Sequence, residues 1–245
     1  MKTTPRLLVP ERLSEGRDIQ LGREQGHYLT GVLRLSGGDP VRVFNSSDGE
    51  WLTHLSVTGK KHVTLTCQRR LADVTLPPDI DYLFAPLKHA RLDYVVQKAT
   101  ELGVRRLVPV ITQRTIAERV NLDRMRANVA EAAEQCNLVF VPEVLEPRRF
   151  AAVLGAWDQG RRLVYCDETA AIADPLEALR SLQTPAAVLI GPEGGFTAEE
   201  REQLRIQAFV TAISLGPRIM RADTAAVAAL TLVQAVAGDW SNAPR

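Results

Sequence analysis

Short apolar runs alternate with longer amphipathic segments through most of the sequence after residue 80. Each amphipathic segment spaces its apolar residues three or four positions apart, as a helix does. The pairs, written strand then helix, are Tyr82–Pro86 with Arg91–Leu102, Arg106–Ile111 with Leu122–Cys136, Leu163–Cys166 with Pro175–Leu182, Ala186–Ile190 with Thr197–Ala208, and Ala212–Leu215 with Thr224–Ala237. Repeated βα units predict an α/β fold around a mostly parallel sheet. In such sheets ligands bind at the loops that follow the carboxyl ends of the strands.

The first 72 residues have a different pattern. Their β-like runs are Leu7–Val9, Val41–Phe44, Trp51–Val57 and Val63–Cys67. Turns rich in Gly, Asp and Ser separate these runs, and one helical piece, Gln25–Leu35, interrupts them. We therefore expect a small β-barrel or β-sandwich at residues 1–72 and a second domain at residues 76–245, joined by the segment Asp73–Asp79 with its two adjacent prolines.

Charge is distributed unevenly between these two parts. Residues 1–72 contain 11 Lys and Arg against 7 Asp and Glu, whereas residues 73–245 contain 19 against 22. A small basic module beside a nearly neutral body favours a polyanion-binding attachment on a catalytic or ligand-binding domain. The alternative is a random imbalance of surface charge.

Composition excludes several classes of protein. The 245 residues are 45% hydrophobic and 24% charged, which is close to the average folded chain and excludes a disordered or collagen-like protein. The apolar runs are far shorter than the roughly 20 residues that cross a bilayer. Cys67, Cys136 and Cys166 stand alone, with neither a CxxC pair nor a neighbouring pair of His residues. We therefore expect a cytoplasmic protein with reduced cysteines and no metal site.

Two turns that contain glycine follow the last two predicted strands. The first, LIGPEGGFTAEE at 189–200, joins a buried strand to a helix, and Thr197 and Glu200 have the spacing of a capping box. The second, SLGPRIMRADT at 214–224, also contains Gly-Pro. Glycine permits a positive φ or a close approach of the backbone. We expect the two turns to lie at neighbouring strand ends and to build one pocket, and the alternative is a pair of ordinary βα turns.

The residues around these glycines restrict the ligand. A P-loop requires Lys followed by Ser or Thr after its glycines, whereas Phe196 and Thr197 occupy those positions. A dinucleotide site requires the spacing G-x-G-x-x-G, which the sequence GPEGGF does not have. Phosphate ligands are therefore disfavoured. A ligand held mainly by backbone groups, such as an adenine ring with a thioether tail, is compatible with both turns.

Taken together, the two turns resemble the paired cofactor loops of the SPOUT methyltransferases, specifically the RsmE family of ribosomal RNA small subunit uridine-N3 methyltransferases. Three further segments support the resemblance, which covers nearly the whole chain: GHYLTGVLRLSGGDPVRVFNSSDGEW at 26–51, DYVVQKATELGV at 93–104 and EAAEQCN at 131–137. The resemblance implies an α/β domain with a deep trefoil knot, an N-terminal PUA-like β-barrel that helps to bind RNA, and a homodimer whose active site is completed across the interface. It implies S-adenosylmethionine as cofactor and 16S ribosomal RNA, or the small ribosomal subunit, as partner.

The resemblance also implies a set of site residues. Those expected to bind the cofactor are Leu189, Gly191, Gly194, Leu215, Gly216, Ile219, Met220 and Thr224. Cys166–Glu168, which leave the preceding strand, would form a third cofactor loop. Arg6 and Arg34 in the basic N-terminal part, together with Gln135, are the candidates for RNA contacts, and the alternative for Arg34 is that it faces solvent.

Methyl transfer to N3 of uracil requires little catalytic apparatus. The sulfonium of the cofactor is an activated methyl donor, so alignment of the nitrogen with the methyl group supplies much of the effect. N3 is protonated at neutral pH, so we expect a carboxylate, Asp223 or Glu193, to accept its proton and Arg221 to stabilise charge on the carbonyl oxygens. A salt bridge or phosphate contact for Arg221 and a helix-capping role for Asp223 are the alternatives. Glu134 and Gln135 could read the base edge or be solvated.

The second turn departs from the family pattern. The family commonly has ILRTET where this chain has Ile219-Met-Arg-Ala-Asp-Thr224. Met in place of Leu preserves an apolar contact, whereas Asp in place of Glu shortens any carboxylate contact by one methylene. Two other functions stay open: a methyltransferase for a different RNA nucleotide, and a non-catalytic RNA-binding ribosome-assembly protein, which would not need both glycine turns.

Overall fold

The computed structural model describes residues 4–58, 62–88, 90–117, 119–167, 169–170 and 174–240. It divides into two compact units. The first comprises Met1–Leu76 with Ala133–Val141, and the second comprises Pro77–Ala132 with Pro142–Arg245. The sequence did not predict that residues 133–141 group with the first unit, because their pattern continues a helix of the second.

The first unit is built on a mixed sheet. Its elements are β1 (Arg6–Leu8), β2 (Asp18–Gln20), α1 (Arg23–His27), a π-helical turn (Tyr28–Val32), β3 (Pro40–Asn45), β4 (Gly49–Thr58) and β5 (His62–Ala72). Within the described residues the strand order is β1-β3-β4-β5-β2, with β1 parallel to β3 and the other pairs antiparallel. Apolar side chains such as Val41, Val43 and Leu65 form the core. The predicted strands are confirmed, whereas β2 was missed because it contains a single apolar residue, Ile19.

The second unit alternates strands and helices, as the sequence predicts. Its elements are β6 (Ile80–Phe84), α2 (Ala90–Glu101), β7 (Arg106–Ile111), α3 (Leu122–Gln135, whose last residues belong to the first unit), β8 (Glu143–Val144), β9 (Arg148–Arg149), α4 (Phe150–Gly155), β10 (Arg162–Cys166), α5 (Pro175–Leu179), β11 (Ala186–Ile190), α6 (Ala198–Arg205), β12 (Val210–Ile213) and α7 (Ala222–Ala237). In the part of the chain that the structure describes, the strand order is β12-β10-β11-β6-β7-β8, and β9 also pairs with β7. These pairs are parallel, which confirms the predicted α/β class.

Helices cover both faces of this sheet. On one face, Phe150 of α4 and Leu204 of α6 share an apolar core with strand residues such as Tyr165 and Leu189. Side chains alternate along a strand, so Val188, the neighbour of Leu189 in β11, points to the opposite face. On that face α7 packs on β11, α2 and α5. Burial of every residue in β6 and β11 is typical of parallel strands that are covered on both sides.

The position of α7 is fixed by apolar packing and by one buried amide. Gln234 donates from Nε2 to the carbonyl of Leu102 at 2.5 Å, which satisfies a carbonyl just beyond the end of α2. Because α7 starts directly after residues 214–221, its packing also fixes where that turn ends. Among the described residues, no helix has the length and apolar character that a membrane span requires.

Candidate functional site

Both glycine-containing turns lie at the carboxyl edge of the parallel sheet. The first glycine turn, residues 191–197, follows β11, and the second glycine turn, residues 214–221, follows β12. Because the strands are parallel, their carboxyl ends meet at one edge. The prediction that the two strand ends are neighbours is wrong, since β10 lies between β11 and β12. In the sheet, β10 pairs with β11 on one side and with β12 on the other. Asp167, the first residue after β10, therefore lies between the two turns.

Sterics and hydrogen bonds determine the shape of the first glycine turn. Gly195 has φ of +66° and donates its N–H to the carbonyl of Pro192 at 2.8 Å, which closes the turn. A Cβ on Gly191 would lie 2.6 Å from a ring carbon of Phe196. Phe196 is buried against Tyr165, with 5.2 Å between the ring centroids. The predicted capping box is confirmed, since Thr197 and Glu200 exchange both backbone–side-chain bonds.

Two further residues predicted to bind the cofactor, Leu189 in β11 and Gly194 in the first glycine turn, differ in exposure. Leu189 is 2% exposed as a whole residue, belongs to the core and is paired with strands on both sides. Gly194 accepts a hydrogen bond at its carbonyl from Nη1 of Arg114 at 2.8 Å. Sequence reasoning missed both Phe196 and Arg114. The aromatic ring directly after two glycines was a signal for the first, whereas the turn after β7 carried none for the second.

The second glycine turn is more open. Gly216 has φ of +99°, and a Cβ there would meet no atom within 4 Å. Leu215, Gly216 and Met220 line a depression of about 370 Å³ together with Pro175 of α5 and three residues of α7: Ala228, Thr231 and Leu232. Ile219 is 97% exposed and Thr224 is exposed on the first turn of α7. The depression therefore gathers three of the predicted cofactor residues but does not include those of the first turn.

Two of the catalytic candidates begin α7. Arg221 is the N-cap residue and is exposed, and Asp223 is half-buried in the first helical turn. Oδ1 of Asp223 accepts the N–H of Thr224 at 3.0 Å. Burial raises the pKa of Tyr82 well above its usual value, with smaller contributions from Cys166 and Asp223. Among the described residues, Arg221 and Asp223 are not joined by an ion pair, so the structure does not bring them into direct contact.

Glu193, the third catalytic candidate, lies in the first glycine turn. Its Oε1 is 3.3 Å from Nη1 of Arg91, which belongs to the first turn of α2. The side chain of Glu193 is 34% exposed. The carboxylate is thus held by a cation, in the turn after β11, whereas Asp223 lies in α7, which follows β12.

Asp167, the residue that follows β10, is buried, whereas Cys166 at the end of the strand is half-buried. Burial raises the pKa of the Cys166 thiol to about 12, so this cysteine stays protonated near neutral pH. Burial alone would raise the pKa of Asp167, but hydrogen bonds from Thr169 and Arg205 outweigh it and hold the pKa below its usual value. Glu168, the last residue of the predicted third loop, lies outside the described residues. Within the described chain, no group of three or more His, Cys, Asp or Glu could hold a metal ion.

The predicted RNA-contacting residue Arg6 requires correction. Its side chain is 4% exposed, and its guanidinium donates to the carbonyls of Ala133 and Leu138 and to Glu50. The same guanidinium lies 3.6 Å from the ring centroid of Phe44. A cation with this many protein partners presents no free charge to a phosphate, so Arg6 anchors residues 133–141 to the sheet of the first unit instead.

The other residues named for RNA recognition are more accessible. Arg34 is exposed and adopts φ of +56°, which is uncommon for a residue other than glycine. Gln135 is exposed at the end of α3. Its neighbour Glu134 accepts the N–H of Leu8 at 2.8 Å, so this carboxylate serves the first unit's own structure. The segment EAAEQCN therefore has a structural role in addition to any contact with a ligand.

The chain combines a β-rich unit with a parallel-sheet unit that has two glycine turns at its carboxyl edge. Comparison with known proteins identifies this combination as an RNA methyltransferase. A family model described as an RNA methyltransferase domain matches residues 75–234, and one described as an RNA methyltransferase PUA domain matches residues 21–66. Among relatives, the ribosomal RNA small subunit methyltransferase E of Synechocystis is 32% identical over 94% of this chain and 77% of its own length. That of Rickettsia conorii is 29% identical over 94% of both chains.

A solved structure matches the whole fold. It is the ribosomal RNA small subunit methyltransferase E of Neisseria gonorrhoeae bound to S-adenosyl methionine, with a TM-score of 0.87, 28% identity, and coverage of 97% of this chain and 100% of the other. The chain belongs to the ribosomal RNA small subunit methyltransferase E family of RNA methyltransferases. The predicted resemblance is confirmed at the level of the family.

Proposed function

We propose that this protein transfers a methyl group from S-adenosylmethionine to N3 of a uridine in 16S ribosomal RNA. The observation that supports this most strongly is the placement of both glycine turns at one edge of the parallel sheet, in a chain that shares its fold with a methyltransferase solved with S-adenosyl methionine. The activity is expected in the cytoplasm, where ribosomal RNA is located.

The residues of the second glycine turn fit this cofactor. The depression at Leu215, Gly216 and Met220 is lined mainly by apolar side chains, which suit an adenine ring or a thioether. Ile219 would add an apolar contact, while Gly191 and Gly194 would contribute from the first turn, Leu189 from β11 and Thr224 from α7. When bound, the cofactor supplies a methyl group that is already activated by its sulfonium.

The chain's own contribution to the chemistry would come from the start of α7. Asp223 is half-buried in the first turn of α7 and would accept the proton from uracil N3. Arg221, exposed at the N-cap, would stabilise negative charge on the carbonyl oxygens of the same base. Glu193 is the second candidate for the base. The Cys166 thiol, protonated near neutral pH, would take no part as a nucleophile.

The first unit would bind the RNA. Arg34 offers an exposed guanidinium and Gln135 an exposed amide that can reach a base edge. Removal of the charge at Arg34 should flatten the dependence of RNA affinity on salt, because one counterion fewer is released. Arg6→Ala should instead lower the stability of the unit. An unchanged salt slope in Arg34→Ala would remove this residue from the RNA interface.

We also expect the trefoil knot and the homodimer of the family. The small side chains along α7, including Ala222, Ala225 and Ala228, are half-buried and would permit close packing against a second copy. Analytical ultracentrifugation would test the dimer: a monomer at micromolar concentration would contradict it.

Two measurements test the function. Calorimetric titration with S-adenosylmethionine should give saturable binding to a single type of site, and its failure would favour a non-catalytic RNA-binding protein. Mass spectrometry of 16S ribosomal RNA from a deletion strain should show one uridine without its N3 methyl group, restored by the wild-type gene. Loss of a methyl group from a different nucleotide would keep the methyltransferase but change its target.

A further inference from the structure

Two arginines from other parts of the second unit hold the first glycine turn on its exposed side. Arg114 donates from Nη1 to the carbonyl of Gly194 at 2.8 Å, and Nη1 of Arg91 lies 3.3 Å from Oε1 of Glu193. Arg91 follows β6 and Arg114 follows β7. Because the sheet order is β11-β6-β7, the loops after these strands lie beside the loop after β11.

A third contact joins the same loops beneath the surface. Glu200 is buried, and its Oε1 accepts the N–H of Gln113 at 2.8 Å while Oε2 accepts the N–H of Thr197 at 3.0 Å. The turn that contains Gln113 is itself closed, since the N–H of Thr112 donates to Oγ1 of Thr115 at 2.9 Å. The turn after β7 therefore contacts the first glycine turn at Gly194 and the helix that follows it, α6, at Glu200.

We propose that Arg91 and Arg114 are positioning residues that fix the Glu193–Gly194 edge of the cofactor loop, and that Glu193 is an anchor for this edge rather than the general base. The inference rests on the proposed function, because it assigns a role in cofactor binding to contacts around the turn.

The physical effect is preorganisation. A guanidinium bound to a carbonyl is a charge-assisted hydrogen bond and exceeds a neutral one in strength. The pair between Arg91 and Glu193 is partly exposed, so it contributes less on its own. Together the contacts reduce the number of conformations open to the turn. The turn therefore loses less conformational entropy when a ligand binds. The arginines thus act on the affinity for the cofactor and not on the reacting atoms.

Titration calorimetry with S-adenosylmethionine tests this inference. Arg114→Ala should weaken binding about tenfold, and Arg114→Lys, which keeps one charged donor, should restore most of the affinity. Arg91→Ala and Glu193→Gln should each weaken binding about threefold. The double variant Arg91→Ala/Glu193→Gln should be no weaker than either single variant, because both changes remove the same contact.

Two matched arginines serve as controls. Arg162 donates to the carbonyl of Ala208 at 2.7 Å near the amino end of β10, and Arg124 pairs with Asp93 at 2.5 Å on exposed helical surface. Arg162→Ala and Arg124→Ala remove the same kinds of bond away from the turn. They should bind S-adenosylmethionine like the wild type.

A second readout separates an anchor from a base. If Glu193 is an anchor, the single-turnover rate of RNA methylation by Glu193→Gln should be close to the wild-type rate at saturating S-adenosylmethionine. A large loss of rate with normal affinity would overturn this assignment. Unchanged affinity in folded Arg114→Ala and Arg91→Ala would overturn the positioning role alone. A wild-type protein that does not bind S-adenosylmethionine would overturn the proposed function and the positioning role with it.

Discussion

The two glycine turns share one edge of one sheet, yet the protein holds them in different ways. The first is closed by its own hydrogen bond, lies over the buried ring of Phe196 and is contacted by Arg91 and Arg114, while Gln113 contacts the helix that follows it. In the second, the N–H of Gly216 donates to Oγ of Ser214 at the long distance of 3.3 Å, and Ile219 is almost fully exposed. The comparison indicates that the first turn is shaped by the protein itself, whereas the second leaves apolar surface for a ligand or a second chain.

The largest effect is expected from Gly191→Val. Its side chain would collide with the Phe196 ring, because even a Cβ would lie 2.6 Å away. Displacing this ring should abolish S-adenosylmethionine binding and lower the free energy of unfolding by about 1–3 kcal/mol. Urea denaturation and calorimetry measure the two effects. Wild-type stability in this variant would mean that the first turn is less tightly built than the structure indicates.

Asp223→Asn tests the residue that follows the open turn. If Asp223 accepts the N3 proton, the single-turnover rate should fall roughly 10²-fold with cofactor affinity nearly intact, and higher pH should partly restore it because uracil then ionises unaided. Arg221→Ala should lose rate with less recovery at high pH. Asp123→Asn, in the first turn of α3, is the control for loss of an acid near a helix N-terminus. Equal rates in both Asn variants would leave Asp223 a helix-stabilising role alone.

Gly216→Val should separate binding from stability. With φ of +99°, any other residue is strained by about 1–3 kcal/mol, but no neighbouring atom lies within 4 Å of the added Cβ. An exposed turn can relieve this strain by moving, so the free energy of unfolding should change by less than about 1 kcal/mol while cofactor affinity falls about tenfold. The comparison between the turns would fail if this variant lost as much stability as Gly191→Val.

An effect on stability alone, with none expected on the chemistry, follows from Asp167→Asn, between the two turns. Hydrogen bonds from Thr169 and Arg205 overcome the effect of burial and keep the pKa of Asp167 below its unfolded value. The resulting stability is therefore fully present above the unfolded pKa and is lost as pH falls through the lower folded pKa. At pH 7 the variant should be about 1–2 kcal/mol less stable, and the difference should shrink below about pH 4. A difference that persists at pH 2 would require another cause.

The strand and helix pattern of the second unit was predictable because long periodic segments and glycine punctuation are local signals. The two-turn motif was equally visible. Three features depend on distant parts of the chain and were not: the position of β10 between β11 and β12, the return of residues 133–141 to the first unit, and the burial of Arg6. The sequence around Arg6 would be the same whether its side chain faced a phosphate or two carbonyls, so its burial could not be predicted from that sequence. The contact from Arg114 to Gly194 likewise joins residues 80 positions apart.

Hydrogen–deuterium exchange measured with and without S-adenosylmethionine tests the contrast between the turns most directly. Without the cofactor, the amides of Gly195 and Thr197 should already be protected, because each donates a hydrogen bond within the protein. The amides of Leu215, Ile219 and Met220 should exchange fast and become protected only when the cofactor binds. The account would be contradicted if both turns were unprotected in the free protein and became protected together, or if the cofactor left residues 214–221 unchanged.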